Sequence, residues 1–498
     1  MKYQSTRGKE YGFSAAAAIK QGIAADGGLF VPEWIPVLSR DFFEELLELS
    51  YSQRAERIMA LFLSDFSVAE VQECVTTAYE SGSFDHPDRA PLQRLSESVF
   101  IQELWHGPTS AFKDMALQML PQLMTRSAAK TGEQGEIVIL VATSGDTGKA
   151  ALEGFKDIPG TRIVVFYPAE GVSPVQERQM ITQLGANVHV IAVEGNFDDT
   201  QNGVKAILAD EAVRVLLQQR GLRLSSANSI NWGRLLPQIV YYISAWLDLR
   251  RMGAVHADEA INFVVPTGNF GNILAAWYAR AMGLPVNRLI CASNANNVLT
   301  EFLNSGRYDR KRPFTKTLSP SMDILISSNL ERLLYELTGH DAERVSGWMR
   351  QLKEQGEYQV ETDVLEQLHS LFYADWVDDR VTQESIGQCW ERQHYLLDTH
   401  TAVACKVYRD YLKATGDQHV SVIVSTASPY KFASSVMQAL PGDRKDADEF
   451  ADLAALAAYT AWPVPEPLRH LQEKPIRHQI RCTRDEMMET LLQVLAEH

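Results

Sequence analysis

The sequence has few cysteines, no long apolar run and no excess of basic residues, and each absence excludes a class of protein. Its five cysteines are scattered and form no C-x-x-C pair, which argues against a disulfide framework or a cysteine-based zinc site. The longest apolar runs, such as residues 137–142, are far too short to cross a bilayer. With 47 Lys and Arg against 63 Asp and Glu, the net charge of −16 does not favour nucleic-acid binding. The sequence therefore predicts no metal, no membrane and no nucleic-acid partner.

The amino-terminal residues MKYQSTRGKEYGF include no apolar segment typical of a secretory signal. Together with the unpaired cysteines, this predicts a cytoplasmic location. The 498 residues are 45% hydrophobic and 22% charged, which is an ordinary globular composition. At about 150 residues per domain, this length predicts two to four domains.

Short continuous apolar segments alternate with helical patterns along most of the chain. They form two clusters, one at residues 136–195 and one at residues 261–293, and a further segment follows at residues 419–428. Buried strands that alternate with helices predict parallel sheets covered on both faces. We therefore predict an α/β fold with two open, mostly parallel sheet domains, an N-terminal helical segment and helical insertions.

Turn-rich stretches and changes of pattern divide the chain into four predicted parts. The first part is helical, and Ser67 and Glu70 have the spacing of a capping box at a helix start. The parts are an N-terminal domain (residues 1–95), an α/β domain (96–250), a larger α/β domain with a helical insertion (251–440) and a C-terminal segment that wraps the surface (441–498).

Three Gly- or Ser-rich turns, ATSGDTGKA, PTGNFGN and STASP, follow predicted strands. Ligands of open parallel sheets bind at this end of the strands. In PTGNFGN, Gly268 and Gly271 let the backbone approach a ligand, and the next helix offers its N–H groups to an anion. An ordinary strand-to-helix turn is the alternative interpretation.

ATP and NAD are not supported as cofactors, because the dinucleotide motif G-x-G-x-x-G is absent and Ala150 stands where a P-loop has Ser or Thr.

Lys113 lies in the segment ELWHGPTSAFKDMALQ, where its neighbours are largely apolar. Desolvation lowers the pKa of an amine and makes a lysine a candidate for Schiff-base formation. The alternative is a lysine whose stem packs while its ammonium group reaches solvent. One such lysine, one phosphate-binding turn and no nucleotide motif together favour pyridoxal 5′-phosphate (PLP), which needs an amine partner and an anion site.

Several long motifs resemble those of threonine synthase, a family of fold type II PLP enzymes, in its longer bacterial and fungal form. They extend from the first residue to about residue 440: YQSTRG, GIAADGGLFVPEWIP, ELWHGPTSAFKDMALQ, ATSGDTG, NSINWGRLLPQ, TLSPSMDILISSNLERLL, PTGNFGN and STASPYKF. The resemblance implies a tryptophan synthase β-like fold and PLP as cofactor. Departures at Thr399, Ala404 and Lys149 lie outside the lysine motif and the phosphate loop.

The resemblance also implies site residues. Lys113 would hold the cofactor as a Schiff base, and Thr426 would face its pyridine nitrogen, although a β-branched residue at a strand end is the alternative for Thr426. The cofactor phosphate would be bound by Gly268, Asn269, Phe270, Gly271 and Asn272, and the substrate would contact Ser144, Gly145, Asp146 and Thr147.

The family converts O-phospho-L-homoserine and water to L-threonine and phosphate, the last step of threonine biosynthesis, and the resemblance implies this reaction. Lys113 is then the candidate for proton transfers between substrate carbons. The substrate phosphate needs its own site, for which Ser229, Asn231 and Arg234 are candidates because a guanidinium fork, an amide and a hydroxyl suit phosphate. A surface ion pair is the alternative for Arg234.

Two other functions stay open at this point. One is another fold type II elimination or replacement enzyme that acts on a phosphorylated amino acid. The other is a catalytically silent paralogue that binds a ligand or partner. We predict a monomer or a homodimer.

Overall fold

The computed structural model describes residues 1–143, 145–170, 172–442 and 448–496. The strands are β1 (Tyr3–Ser5), β2 (Phe30–Pro32), β3 (Leu92–Arg94), β4 (Val99–Glu103), β5 (Glu136–Ala142), β6 (Thr161–Pro168), β7 (Val188–Glu194), β8 (Leu222–Ser225), β9 (Ile261–Pro266), β10 (Val286–Ser293), β11 (Arg307–Asp309), β12 (Glu357–Gln359), β13 (Phe372–Trp376), β14 (Ser421–Ser425) and β15 (Ile480–Thr483). The helices are α1 (Ala15–Gln21), α2 (Arg40–Leu47), α3 (Tyr51–Ala60), α4 (Val68–Tyr79), α5 (Asp114–Leu117), α6 (Leu120–Lys130), α7 (Asp146–Phe155), α8 (Pro174–Ile181), α9 (Phe197–Ala209), α10 (Glu211–Gln219), α11 (Trp232–Arg251), α12 (Gly271–Ala281), α13 (Val298–Ser305), α14 (Leu330–Leu337), α15 (Ala342–Glu354), α16 (Thr362–Leu371), α17 (Asp379–Gln393), α18 (Thr399–Thr415), α19 (Ala433–Ala439), α20 (Glu449–Thr460) and α21 (Met487–Ala496).

The larger sheet has the strand order β13-β10-β9-β14-β4-β3 across the described residues. All neighbours are parallel except β3, which runs antiparallel to β4 at the edge. The register places Glu103 at the end of β4 beside Ser425 at the end of β14. Because parallel strands end at one edge of a sheet, the segments that follow β4, β9 and β14 come together there.

The smaller sheet has the order β15-β7-β6-β5-β8 in the described part of the chain, and every pair in it is parallel. Both of its faces are buried. Ile137 and Ile139 of β5 join one apolar core, whereas Val138 and Leu140 of the same strand join another. This alternation requires helices on both sides and explains why β5 is apolar at consecutive positions.

The N-terminal part is helical, as predicted, and a stretch with continuous helical spacing of apolar residues contains two helices. The apolar spacing over residues 41–66 continues across Ser50, where the structure ends α2 and begins α3. Ser50 caps α3 in a capping box with Gln53. The predicted capping box of Ser67 and Glu70 at the start of α4 is confirmed.

The predicted division into four parts stays a prediction, and the sheets do not follow its boundaries. Strand β4 falls within the predicted domain of residues 96–250, as do β5 to β8 of the smaller sheet, but it lies in the larger sheet. Strand β15, from the predicted wrapping segment, pairs with β7 at the edge of the smaller sheet. Within the described residues, no helix is long and apolar enough to span a membrane.

Candidate active site

Lys113 lies in the segment that connects β4 to α5, and backbone contacts fix this segment against the end of β14. The N–H of Phe112 donates to the carbonyl of Thr426 at 2.8 Å. Ala111 also forms an isolated β-bridge with Ala427. The lysine segment and the STASP turn are therefore one unit at the carboxyl edge of the larger sheet, and Thr426 is buried within it.

The amine of Lys113 is enclosed, since the residue is only 8% exposed. Its Nζ atom donates to Oγ of Ser321 at 3.3 Å and lies 3.8 Å from Oδ2 of Asp146. It also lies 4.7 Å from the centre of the Phe112 ring. The alternative of an ammonium group that reaches solvent does not hold, because the head of the side chain is the part that is buried among partners.

Asp146 begins α7 after the end of β5, so the smaller sheet brings it to Lys113. The Lys431 Nζ atom lies 2.6 Å from Oδ1 of Asp146, and Nε2 of Gln176 donates to the same oxygen at 2.8 Å. The hydroxyl of Ser321 donates to Oδ2 at 3.4 Å. The carboxyl edges of both sheets thus meet at a buried cluster of Lys113, Lys431 and Asp146.

The pKa values in this cluster follow from burial and charge. Burial lowers the pKa of Lys113 to about 8; Asp146 opposes the shift, whereas Lys431 and Arg234 reinforce it. Burial alone would raise the pKa of Asp146, but the charges of Lys431 and Lys113 outweigh it and hold that pKa well below its ordinary range. Near neutral pH, Asp146 is therefore ionised, and about a tenth of Lys113 is uncharged, far more than for an ordinary lysine.

The PTGNFGN segment lies between β9 and α12, as predicted. Phe270 adopts a left-handed conformation with a φ of 63°, which is strained for a residue with a side chain. No side chain caps α12, so its first N–H groups remain available to an anion. Asn272 accepts hydrogen bonds from Tyr241 and Tyr242 at Oδ1, and its buried Nδ2 atom has no protein partner. Asn269 is exposed.

The loop and the lysine approach each other through Ser321. A Cβ atom on Gly268 would lie 2.6 Å from the carbonyl oxygen of Ser321, so only glycine fits there without displacing backbone. The Ser327 hydroxyl donates to the Gly268 carbonyl at 2.8 Å. At Gly271, in contrast, a Cβ atom would come no closer than 3.4 Å to Asn329.

The ATSGDTG turn is described except for Ser144, which lies outside the described residues. Gly145 has a φ of 142° and donates its N–H to the Thr143 hydroxyl at 3.0 Å. Thr147 is half-buried on the first turn of α7. This geometry directs Asp146 into the cluster described above.

The three candidates for the substrate phosphate differ in their surroundings. Asn231 caps α11 through its oxygen and donates from Nδ2 to the carbonyl of Ile19, so both polar atoms already have structural partners. Ser229 is half-buried and accepts a hydrogen bond from Asn329 at 3.4 Å. That same amide donates to the carbonyl of Asn269 in the loop.

Arg234 is only 3% exposed, so the alternative of a surface ion pair is wrong. Its Nη1 atom donates to the carbonyl of Ala227 at 2.9 Å, whereas its buried Nε atom has no partner. Burial lowers the pKa of Arg234 to about 10, which leaves the guanidinium charged at neutral pH. The residue is thus a buried cation with unused hydrogen-bonding capacity, close enough to lower the pKa of Lys113.

Sequence reasoning missed three residues of this site: Ser321, His400 and Lys431. No local pattern distinguishes them. Ser321 and Lys431 contact Lys113 or Asp146 only through the fold, and His400 contacts Ser321. His400 accepts the N–H of Ser321 at Nε2, and its Nδ1 atom lies 2.9 Å from the carboxylate of Asp398.

The residues present fit a phosphorylated aldehyde such as PLP. Lys113 supplies a buried amine that is partly uncharged at neutral pH. The uncapped start of α12 and the unpartnered Nδ2 atom of Asn272 supply donors for a phosphate. Among the described residues, no group of three or more His, Cys, Asp and Glu side chains is placed to hold a metal ion.

Three families match successive parts of the chain. The threonine synthase N terminus family matches residues 2–79, the pyridoxal-phosphate dependent enzyme family matches residues 85–362, and the threonine synthase C-terminal family matches residues 401–480. Threonine synthase from Pseudomonas aeruginosa is 42% identical over 440 residues, which are 88% of this chain and 90% of that protein.

Human threonine synthase-like 1 is 40% identical over 482 residues, which are 94% of this chain. They are 64% of that relative, so the chain spans less than two thirds of its length. The crystal structure of PLP-bound threonine synthase from Brucella melitensis superposes with a TM-score of 0.88 at 36% identity, covering 100% of this chain and 99% of that one.

Threonine synthase from yeast also superposes with a TM-score of 0.88, at 34% identity, again covering 100% of this chain and 99% of that one. The predicted fold class and the resemblance read from the motifs are both confirmed. The chain belongs to the threonine synthase family of pyridoxal-phosphate dependent enzymes.

Proposed function

We propose that this protein is a threonine synthase that uses PLP to convert O-phospho-L-homoserine and water to L-threonine and phosphate. The observation that carries the proposal is the position of Lys113, a buried amine between the PTGNFGN loop and Asp146. The family membership supports it, because relatives named threonine synthase match most of the chain.

The cofactor would be held at three places. Lys113 would bind its aldehyde carbon through Nζ, and the loop residues Gly268, Asn269, Phe270, Gly271 and Asn272 would bind its phosphate with the N–H groups at the start of α12. Thr426 would offer a neutral hydroxyl to its ring nitrogen. When bound, PLP acts as an electron sink for the carbon atoms of an amino-acid substrate.

Lys113 is the residue placed to move protons. A group transfers protons best when its pKa lies near the working pH, and burial brings the pKa of Lys113 to about 8. The reaction requires protons to leave and return at neighbouring carbons, which one mobile amine can serve in turn. Ser321, within hydrogen-bond distance of Nζ, orients this amine.

Arg234 would bind the substrate phosphate with help from Ser229. The free Nε atom of Arg234 and its full charge suit a leaving dianion. Asn231 would act indirectly, since it caps the helix that carries Arg234. In the ATSGDTG turn, Gly145, Asp146 and Thr147 would face the rest of the substrate, together with Ser144.

We also propose that the protein is cytoplasmic and is a monomer or a homodimer.

The deciding experiment measures phosphate release from O-phospho-L-homoserine by the purified protein, with amino-acid analysis of the product. Threonine and phosphate in equal amounts, and no turnover by Lys113→Ala, would support the proposal. Turnover of another phosphorylated amino acid instead would favour a different elimination or replacement enzyme. Stable cofactor binding without turnover of any such substrate would favour a silent paralogue.

A further inference from the structure

Lys431 is a fully buried lysine that the proposed reaction does not use. Its ammonium group lies 2.6 Å from Oδ1 of Asp146 and donates to the carbonyl oxygen of Thr109 at 3.0 Å. A buried ammonium group is costly unless it is paired and hydrogen-bonded, and Lys431 meets both conditions. Its position next to the cofactor lysine therefore calls for an explanation.

The cluster contains two lysines but one shared carboxylate. Asp146 is much closer to Lys431 than to Lys113, at 2.6 Å against 3.8 Å. The short contact neutralises most of the carboxylate charge that Lys113 would otherwise experience. Because the whole cluster is buried, water does little to stabilise a second ammonium group there.

The other charged groups that face Lys113 do not supply the negative charge that would stabilise its ammonium form. Arg234 on α11 adds a further positive charge. Asp114, the residue next to Lys113, is negative, but its carboxylate accepts the N–H and the hydroxyl of Thr109 at 2.8 and 2.7 Å. Burial also raises the pKa of Asp114 to about 6.

We propose that Lys431 is a positioning residue that favours the uncharged form of the Lys113 amine: by pairing with Asp146, it leaves Lys113 without a full counter-charge in a buried cluster. This inference rests on the proposed role of Lys113 as the cofactor lysine. An uncharged amine is the form that attacks an aldehyde and accepts a proton, so Lys431 sets the pH range in which Lys113 works without touching the reacting atoms.

The test titrates Lys113 directly in the 498-residue protein freed of its cofactor. Brief labelling with trace acetic anhydride, followed by peptide mass spectrometry, gives the rate at which Lys113 is acetylated at each pH. Lys431→Met removes the competing charge and leaves Asp146 to Lys113 alone. The titration of Lys113 then moves to higher pH by about one unit or more, so labelling below the wild-type midpoint falls about tenfold or more.

Removal of the Asp146 carboxylate should shift the titration of Lys113 in the opposite direction. Asp146→Asn keeps the shape of the side chain but removes the negative charge that favours protonated Lys113. The titration of Lys113 therefore moves to lower pH, and labelling at acidic pH becomes faster. Lys431→Gln, which removes the charge but keeps a hydrogen-bond donor, carries the test if Lys431→Met does not fold. Lys431→Arg retains the charge and keeps the wild-type midpoint.

Lys149 provides a matched control. It is also a buried lysine, but its ammonium group pairs with Glu153 at 2.9 Å. Lys149→Met should leave the Lys113 titration unchanged. Equal midpoints in wild type and Lys431→Met, or shifts of the same sign in Lys431→Met and Asp146→Asn, would overturn the inference.

The labelling needs no turnover, so it separates this inference from the proposed function. If the protein does not act on O-phospho-L-homoserine but shows the predicted shifts in labelling, the inference about Lys431 is supported and only the proposed function is wrong. In active protein, the acidic limb of the kcat/KM profile moves with the labelling midpoint. A labelling shift without this movement would overturn the claim that Lys431 sets the working pH range.

Discussion

The backbone N–H of Ser321 donates to Nε2 of His400 at 3.1 Å. Because a backbone N–H can only donate, Nε2 is the acceptor, and the imidazole carries its proton on Nδ1, which faces Asp398 at 2.9 Å. The Ser321 hydroxyl in turn accepts from Lys113. A buried carboxylate thus fixes a neutral imidazole, which fixes the serine beside the cofactor lysine.

We expect His400→Leu to lower kcat/KM about ten- to hundredfold, because the N–H of the half-buried Ser321 loses its acceptor and the serine no longer holds its position beside Lys113. Cofactor affinity should change little. His400→Gln should recover part of the loss, since its carbonyl can accept the same N–H. Steady-state kinetics with cofactor titration check this. Lys406→Ala, on the same helix but paired with Asp410, is the control. Equal losses in the Leu and Gln variants would reduce His400 to a packing role.

Arg234→Ala should keep its cofactor affinity while kcat/KM for O-phospho-L-homoserine falls about ten- to hundredfold, the effect of losing a charged hydrogen bond of about 1.5–3 kcal/mol. Arg234→Lys should recover only part, because a point charge does not reproduce the guanidinium fork. Arg54→Ala is the control for loss of a buried arginine, since Arg54 pairs with Asp248 instead. Loss of PLP from Arg234→Ala would mean that this residue serves the cofactor phosphate.

The two loop glycines should respond differently to the same substitution. Gly268→Ala places a methyl group 2.6 Å from a backbone oxygen, so the loop must move, and we expect cofactor affinity to fall about tenfold or more. Gly271→Ala meets its nearest neighbour at 3.4 Å and should cost much less. Equilibrium titration with PLP measures both, with circular dichroism as the folding control. A weaker cofactor complex in Gly271→Ala than in Gly268→Ala would contradict the structure.

His106 predicts a specific pH dependence of stability. Burial alone would lower the pKa of His106, but hydrogen bonds with Asp85 and Glu103 outweigh it and raise that pKa to about 9. The unfolded value is about 6.5, so the stabilisation is complete below about pH 6.5 and is lost as pH rises through about 9. Its upper limit is about 3 kcal/mol.

Urea unfolding of wild type and His106→Gln at several pH values measures this effect. The difference in midpoint between the two proteins should be largest near pH 6 and should shrink by pH 9.5. His478→Gln serves as the control, because burial lowers the pKa of His478 and its contribution to stability therefore does not weaken as pH rises. A constant difference across the range would show that His106 is not held as an imidazolium ion.

The uniformly apolar strands could be predicted from the sequence, whereas strands with polar residues or at sheet edges, such as β4 and β15, could not. From Ile137 to Ala142, strand β5 is an unbroken run of β-branched and aliphatic residues, because both faces of the sheet are covered there. Strand β4 carries a buried Gln102 that interrupts such a run, and this side chain donates to the carbonyl of Tyr241 at 2.7 Å. A polar residue with a partner 139 positions away along the chain gives no local signal.

The candidate site shows the same limit. Lys113 and the PTGNFGN loop stand out because their local composition is unusual. Ser321 and Lys431 are ordinary residues in the sequence and become part of the site only because the sheets bring together segments more than 200 residues apart. Likewise, apolar periodicity over residues 41–66 gives no sign of a helix end, whereas the local S-x-x-Q pattern at Ser50 marks the start of α3.

Strand β15 has a consequence for how the protein is made. Ile480–Thr483 pairs with Ile191–Glu194, so the smaller sheet receives this strand about 290 residues after β7 has left the ribosome. Until then, one side of β7 presents unsatisfied N–H and C=O groups, a template for unwanted pairing with other chains. During synthesis, which proceeds at roughly 5–20 residues per second, this exposure lasts on the order of tens of seconds. The nascent chain is therefore most vulnerable to unwanted strand pairing after β7 has been translated and before β15 has docked.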